Sequence, residues 1–308
     1  MGDSRIAVFG ATGPIGRRVT RALLERGLEV RVVSRSEQRL ERDFGALDVE
    51  RHPADLEEPG SAAGAAEKCA VVIHAVGLPA DRFERHVPLA EKVVRACGSA
   101  GARPFLVTSY WSYGPGDPDP MAESRALEGR SEKAAIRRRQ EDVFLEAGGA
   151  VARLPDFFGP EDGLSLLNDA LTAVAAGDTA TWPGDPDVPR DFLYYPDAGP
   201  ILAELALREE AFGEPWNVPG SGALPPRSIL ERAARETGTS LKLRRIRPWM
   251  ARLAAIFSRD VRAFLDLMPI YESPVILDTS KLERLLGGVE TTGYDEAIPA
   301  TLRWLKRR

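Results

Sequence analysis

The residues of this chain best suited to chemistry are three regularly spaced glycines in Gly10-Ala-Thr-Gly13-Pro-Ile-Gly16. The loop lies between a short β-rich run, Arg5 to Phe9, and Ile15, Val19, Leu23 and Leu24, which recur at helical spacing until Gly27. Strand, glycine loop and helix in that order are the context of a dinucleotide site. Gly10 permits the tight turn, Gly13 lets backbone N–H groups approach a pyrophosphate, and Gly16 lets the helix pack closely on the strand. The anion then rests at the helix N-terminus, with Thr12, Pro14 and Ile15 lining the same turn. The end of the next strand, Val30 to Val33, selects the dinucleotide. An acid there pairs with a ribose 2′-hydroxyl, whereas an Arg accommodates a 2′-phosphate. This chain reads Ser34-Arg35, two phosphate donors and no acid, which favours NADP(H) over NAD(H). Arg17 is a second cation close in sequence to the loop.

Metal chemistry is disfavoured. Cys69 and Cys97 are the only cysteines, and His52, His74 and His86 show no ligand spacing. His74 and His86 read as core or loop residues.

The elements that must hold the loop follow from the hydrophobic pattern. Further strands are expected at Val49 to His52, Ala70 to Val76, Phe105 to Thr108 and Ala150 to Leu154. Helices are expected along Val87, Ala90, Val94 and Cys97, and from Ser131 to Ala147. Such alternation predicts an α/β chain with a Rossmann-type doubly wound parallel sheet. The second half is turn-rich. It is expected to carry helices at Leu164 to Ala176, Ala198 to Leu207, Arg227 to Thr237, Trp249 to Phe257, Val261 to Met268, Lys281 to Leu286 and Asp295 to Lys306. Short strands are expected at Phe192 to Tyr195 and Leu241 to Ile246, and Ser280 reads as an N-cap. The division is a nucleotide-binding domain, 1–160, and a smaller substrate-binding portion, 161–308, interleaved with it. Trp182, Tyr194, Tyr195 and Trp249 could line a substrate pocket in that second part.

Composition sets the outer limits. The 308 residues are 44% hydrophobic and 28% charged with a formal charge of −5, an ordinary globular mixture. An acidic balance argues against a nucleic-acid partner. Only six of the 41 basic residues are Lys, so most of the arginines are background on solvated faces. No apolar run approaches the ~20 residues that span a bilayer, and the N-terminus reads as no signal peptide. The expectation is a cytoplasmic protein with a small-molecule substrate and no membrane partner.

At this point the chain resembles the extended, epimerase/dehydratase-like branch of the short-chain dehydrogenase/reductase family. GATGPIG, Asp55-Leu56 and His74-Ala75-Val76-Gly77 are similar to its cofactor motifs. The resemblance implies that Asp55 and Leu56 flank the adenine and that Ala75, Val76 and Gly77 meet the adenosine side. It also implies that Pro155, in Arg153 to Pro160, lies beside the nicotinamide, and that Arg190, in Arg190-Asp191-Phe192, meets substrate phosphate. The family's Ser is matched by Ser109. Its Tyr-x-x-x-Lys pair is replaced by Lys133 and Arg137, four residues apart on one helix face. The resemblance therefore implies an oxidoreductase in which Ser109 orients a carbonyl, Arg137 binds ribose, and Lys133 or Tyr113 handles the proton. Loss of the Tyr leaves two alternatives open: a regulatory NADP(H)-binding protein, and a cofactor-retaining epimerase or dehydratase. A homodimer is compatible with the resemblance.

Overall fold

A computed structural model describes residues 5–161, 165–256, 262 and 264–307. Strands β1 (Arg5–Phe9), β2 (Val30–Ser34), β3 (Glu50–Pro53), β4 (Cys69–His74), β5 (Arg103–Ser109) and β6 (Ala150–Leu154) alternate with helices α1 (Pro14–Glu25), α2 (Glu37–Phe44), α3 (Ser61–Ala66), α4 (His86–Ala100) and α5 (Glu132–Glu146). β1 and β4 are buried along most of their length because helices cover both faces of the sheet. Each fully buried aliphatic side chain there contributes roughly 1.5–3 kcal/mol.

The second half contributes β7 (Asp156–Phe158), α6 (Leu166–Ala175), β8 (Thr179–Pro183), β9 (Phe192–Tyr194), α7 (Tyr195–Leu207), β10 (Pro215–Asn217), α8 (Pro226–Thr237), β11 (Lys242–Ile246) and α9 (Pro248–Ala254). Shorter helices follow at Met268–Tyr271 and Ser280–Leu286, and Tyr294–Leu305 closes the fold. The central sheet is seven-stranded and parallel, in the order β10-β6-β5-β4-β1-β2-β3. Its last strand, β10, comes from the second half. Chain progression reverses between β1 and β4, where Phe9 is in register with His74. In such sheets the ligand crevice opens at this switch, beyond the carboxyl ends of the strands.

Two cores flank the sheet, and a third joins Tyr110 of the first part to Trp182, Tyr194 and Tyr271 of the second. α7 packs on α1, and a Cβ at Gly199 would lie 2.4 Å from the Arg18 carbonyl oxygen. Local details differ from the sequence reading. The α3 segment, SAAGAA, lacks a large apolar stripe and leaves no periodic signal. Thr279, not Ser280, precedes the helix it was expected to cap, and it makes no side-chain capping bond. Leu164, Phe257, Val261 and Ala263, each within an expected helix, lie outside the described residues. Among the described residues no helix is long and apolar enough to cross a membrane, and no group of His, Cys, Asp or Glu could hold a metal ion.

Candidate nicotinamide dinucleotide site

The glycine loop crosses the sheet at the switch point. Gly10 has φ +81°, and a Cβ there would come within 2.8 Å of the Ala75 carbonyl oxygen. A Cβ on Gly16 would meet the Gly10 oxygen at 2.3 Å, so α1 can start this close to β1 only with glycine. Gly13 caps α1 without a side-chain bond, and Pro14 begins the first turn. The N-terminal donors of α1 are thus available to an anion, with no acidic side chain in that turn.

A cleft runs from this loop along the carboxyl ends of β2, β3 and β4. It is lined by Gly10, Thr12, Gly13, Ser34, Arg35, Asp55, Leu56, Ala75, Val76 and Gly77, together with Ser36, Arg39 and Glu57. Pro14, Ile15 and Gly16 lie behind the loop, at the start of α1. The Thr12 and Ser34 hydroxyls are 2.9 Å apart, tying the loop to the end of β2. Arg35 is exposed and has no polar partner among the described residues. Sequence reasoning missed Arg39, four residues later on α2, whose guanidinium donates to the Thr12 carbonyl at 3.2 Å. Nothing in its spacing marked it, because Arg35 precedes α2 and the two do not share a helix face. Ser36 caps α2 by accepting from the Arg39 amide at 3.2 Å, which fixes this cationic corner. The acids beside it are engaged. Asp55 accepts from the Glu57 amide at 3.0 Å, and Glu57 pairs with Arg85 at 2.7 Å. Arg17 is not available as a second phosphate cation, because Asp43 and Glu161 both hold it.

Outside the residues that line this crevice, a group of buried polar atoms lacks a partner among the described residues. These are both ring nitrogens of His74 and His86, the hydroxyls of Thr108 and Ser109, Trp111 Nε1, Arg137 Nε and Gln140 Nε2. They sit at the ends of β4 and β5, in the turn that follows, at the start of α4 and on α5. Native interiors leave few such groups, so their concentration beyond β4 and β5 marks where polar partners outside the protein, water or ligand, complete the site. Phe83 forms its apolar centre. The ring meets His86 edge-on at 4.8 Å and stacks with Trp111 at 6.1 Å, and Arg137 and Lys133 lie over it at 4.9 and 5.8 Å.

Electrostatics there are positive. Burial, then the Arg137 charge, lowers His74 to about 3; burial, Arg137 and His74 lower His86 to about 2. Both imidazoles are neutral at ordinary pH. Burial lowers Arg137 to about 10 against the opposing effect of Glu141, so it stays charged. Burial also lowers Lys133, while Asp266 and Glu132 act to raise it. Glycine cradle, cationic ribose corner and unpartnered donors together fit a dinucleotide laid across the switch point.

Several expected site residues have other occupations. Tyr113 is buried; its hydroxyl donates to Asn217 Oδ1 at 2.9 Å and accepts from Arg153 at 2.8 Å. Burial raises its pKa despite Arg153, so it is a poor proton donor. Arg190 is fully buried, donating to Tyr110 Oη at 2.7 Å, the Ile270 carbonyl at 3.0 Å and Asp156 at 3.3 Å. Its guanidinium also covers Tyr271, so it joins elements together and does not face a substrate. Trp182 and Tyr194 are core residues, the first packed edge-on to Phe192 and Tyr271 and the second against Phe158. Pro155 is buried between β6 and β7. Arg137 does not pair with Glu141 along its helix; it donates to Gln140 Oε1 at 2.7 Å, and Arg153 and Ser112 hold Glu141.

The sheet order, glycine loop and crevice have the Rossmann-type arrangement that binds nicotinamide dinucleotides. Residues 10–149 match the NAD(P)H-binding family. Over 168 residues the chain is 32% identical to ceramide reductase of Caulobacter vibrioides, covering 52% of this chain and 49% of that protein. The chain thus spans about half the length of this curated relative. Over nearly its whole length it is similar to MoeE5 in complex with UDP-glucose and NAD, at 18% identity, TM-score 0.81 and 99% coverage of each chain. UDP-glucuronic acid 4-epimerase from Bacillus cereus, with UDP-glucuronic acid and NAD, aligns at 16% identity and TM-score 0.82, covering 98% of this chain and 99% of that one. The fold is that of the NAD-dependent epimerases and dehydratases.

Proposed function

We propose that the protein is an NADP(H)-dependent oxidoreductase acting on a carbonyl or hydroxyl group of a small molecule, of sugar-nucleotide or natural-product type. The observation that carries this reading is the cluster of unpartnered buried donors beyond β4 and β5, beside the glycine loop. Ser109 Oγ would hold the substrate oxygen. Lys133 Nζ, its pKa lowered by burial, would give or take the proton on that oxygen. Arg137 would bind the ribose or a phosphate as a permanent cation. A bound nicotinamide supplies or accepts the hydride. The reductase name of one relative supports the redox direction of this reading.

The test is NADPH oxidation against a panel of carbonyl compounds. Turnover is expected, with kcat down ~100-fold in Lys133→Ala and NADPH affinity little changed. Undiminished turnover in that variant would remove Lys133 from the mechanism. One observation favours a second, regulatory reading: the position four residues before Arg137 holds Lys133, not the expected Tyr, and Tyr113 is engaged elsewhere. Tight cofactor binding with no turnover on any carbonyl would support it. Product formation without net cofactor consumption would instead point to epimerase- or dehydratase-type chemistry.

NADP(H) preference rests on Ser34, Arg35 and Arg39 at the ribose corner. Charge-assisted hydrogen bonds are each worth about 1.5–3 kcal/mol. The double variant Arg35→Ser, Arg39→Ser is therefore expected to lose ~100-fold or more in NADP+ affinity, with NAD+ binding nearly unchanged. Calorimetric titration with both dinucleotides measures this, and equal losses for the two would place the 2′-phosphate elsewhere.

A further inference from the structure

The second half carries a surface whose composition runs against the rest of the molecule. Trp249, Leu253 and Ile256 are 57%, 56% and 63% exposed, the most exposed large apolar residues among those described. Their spacing is i, i+4 and i+7, so they form one face of α9 and the turn after it. Ala251 and Ala255 are buried, which fixes this short helix to the body through its small residues and leaves the large ones outside. The polar residues of the segment from Lys242 to Ile256 are all cationic. Lys242, Arg244, Arg247 and Arg252 are exposed, and from Lys242 to Ile256 there is no Asp or Glu, although the chain as a whole carries −5. Among the described residues, Arg245 alone in that stretch has acidic partners, Asp185 and Glu272.

We infer that this face docks onto a membrane surface containing anionic lipid. Exposed Trp, Leu and Ile on one side of a helix suit insertion to the level of the headgroups, and flanking Arg and Lys suit the anionic layer above. A second copy of the chain is a poor occupant, because pairing the face with itself sets its unneutralised cations against one another. Such docking needs no spanning segment. It therefore replaces the expectation of no membrane partner, which rested on the lack of one. The inference stands whether or not the oxidoreductase reading holds.

The experiment is flotation of the full chain with vesicles of phosphatidylcholine alone or mixed with phosphatidylglycerol, at low and high salt. Binding to the mixed vesicles is expected, and ~tenfold or greater weakening without the anionic lipid or at high salt. Trp249→Ser with Leu253→Ser, and separately Arg247→Glu with Arg252→Glu, should each weaken flotation by a similar factor and leave NADPH binding intact. Brominated lipid should quench tryptophan emission of the wild type and not of Trp249→Phe. Absence of flotation with mixed vesicles, or flotation indifferent to both double variants, would overturn the inference. So would a concentration-dependent dimer that Trp249→Ser dissolves without any vesicle binding, since that assigns the face to a second copy.

Discussion

Glu141→Ala is expected to destabilise the protein by about 3–5 kcal/mol, out of the roughly 5–15 kcal/mol typical of a folded domain. Glu141 is wholly buried on α5. One carboxylate oxygen accepts from Arg153 Nε and Nη2 at 2.9 and 2.7 Å, and the other accepts from the Ser112 hydroxyl at 2.8 Å. Arg153, almost as buried on β6, continues the network through Tyr113 to Asn217 on β10. Removing the carboxylate leaves a guanidinium inside the protein without its counter-charge, which costs far more than the pair itself contributes. Urea denaturation should show a large drop in midpoint with little change in slope. Replacing both partners with Met should recover most of the loss, because the uncompensated charge goes too. A loss below ~1 kcal/mol in Glu141→Ala would mean that Arg153 finds water or another anion. The same variant should also lower cofactor affinity, since α5 carries Arg137, the proposed ribose or phosphate ligand.

Acid is expected to weaken the fold through His74 and His86. Their folded pKa values, about 3 and about 2, lie below the roughly 6.5 of an unfolded chain. The unfolded state therefore binds more protons, so stability rises with pH across this window and is lost as pH falls below ~6.5. By about pH 5 each imidazole should have cost roughly 2 kcal/mol. Asp191 acts the other way. Burial raises it to about 6, against the hydrogen bonds it accepts from the backbone, and it returns roughly 1 kcal/mol over the same range. The difference between wild type and variant isolates each histidine. His74→Leu and His86→Leu should each flatten the plot of unfolding free energy against pH by close to one proton below pH ~6. If the slopes of wild type and both variants coincide, the imidazoles titrate alike in the two states and the assigned environment is wrong.

The two halves of the site differed in how legible they were. The segments that line the crevice were readable because each is short and follows a single strand. Gly10 to Gly16, Ser34-Arg35, Asp55-Leu56 and Ala75 to Gly77 follow strand ends, and a parallel sheet brings such ends to one edge. Arg39 escaped notice because a helical arginine in an arginine-rich chain looks like any other. The opposite half was less legible. Arg190, Trp182 and Tyr194 matched the residue types of a substrate pocket, yet the structure buries them, with Arg190 held by Asp156, Tyr110 and a backbone carbonyl. His86 read as an ordinary core or loop residue and is buried beside Arg137 without a partner.

By itself the sequence determined the parallel α/β architecture, the glycine loop and the absence of an acid after β2. These follow from local periodicity and from backbone geometry that only glycine permits. Only the tertiary structure decided which charges are spent. It pairs Glu141 with Arg153 rather than Arg137, removes Arg17 to Asp43 and Glu161, and leaves Arg35 at the crevice. It also leaves Trp249, Leu253 and Ile256 in water. The reason is physical: a charge or an apolar surface acquires its role from the partners that folding brings within contact, and those partners lie far away along the chain.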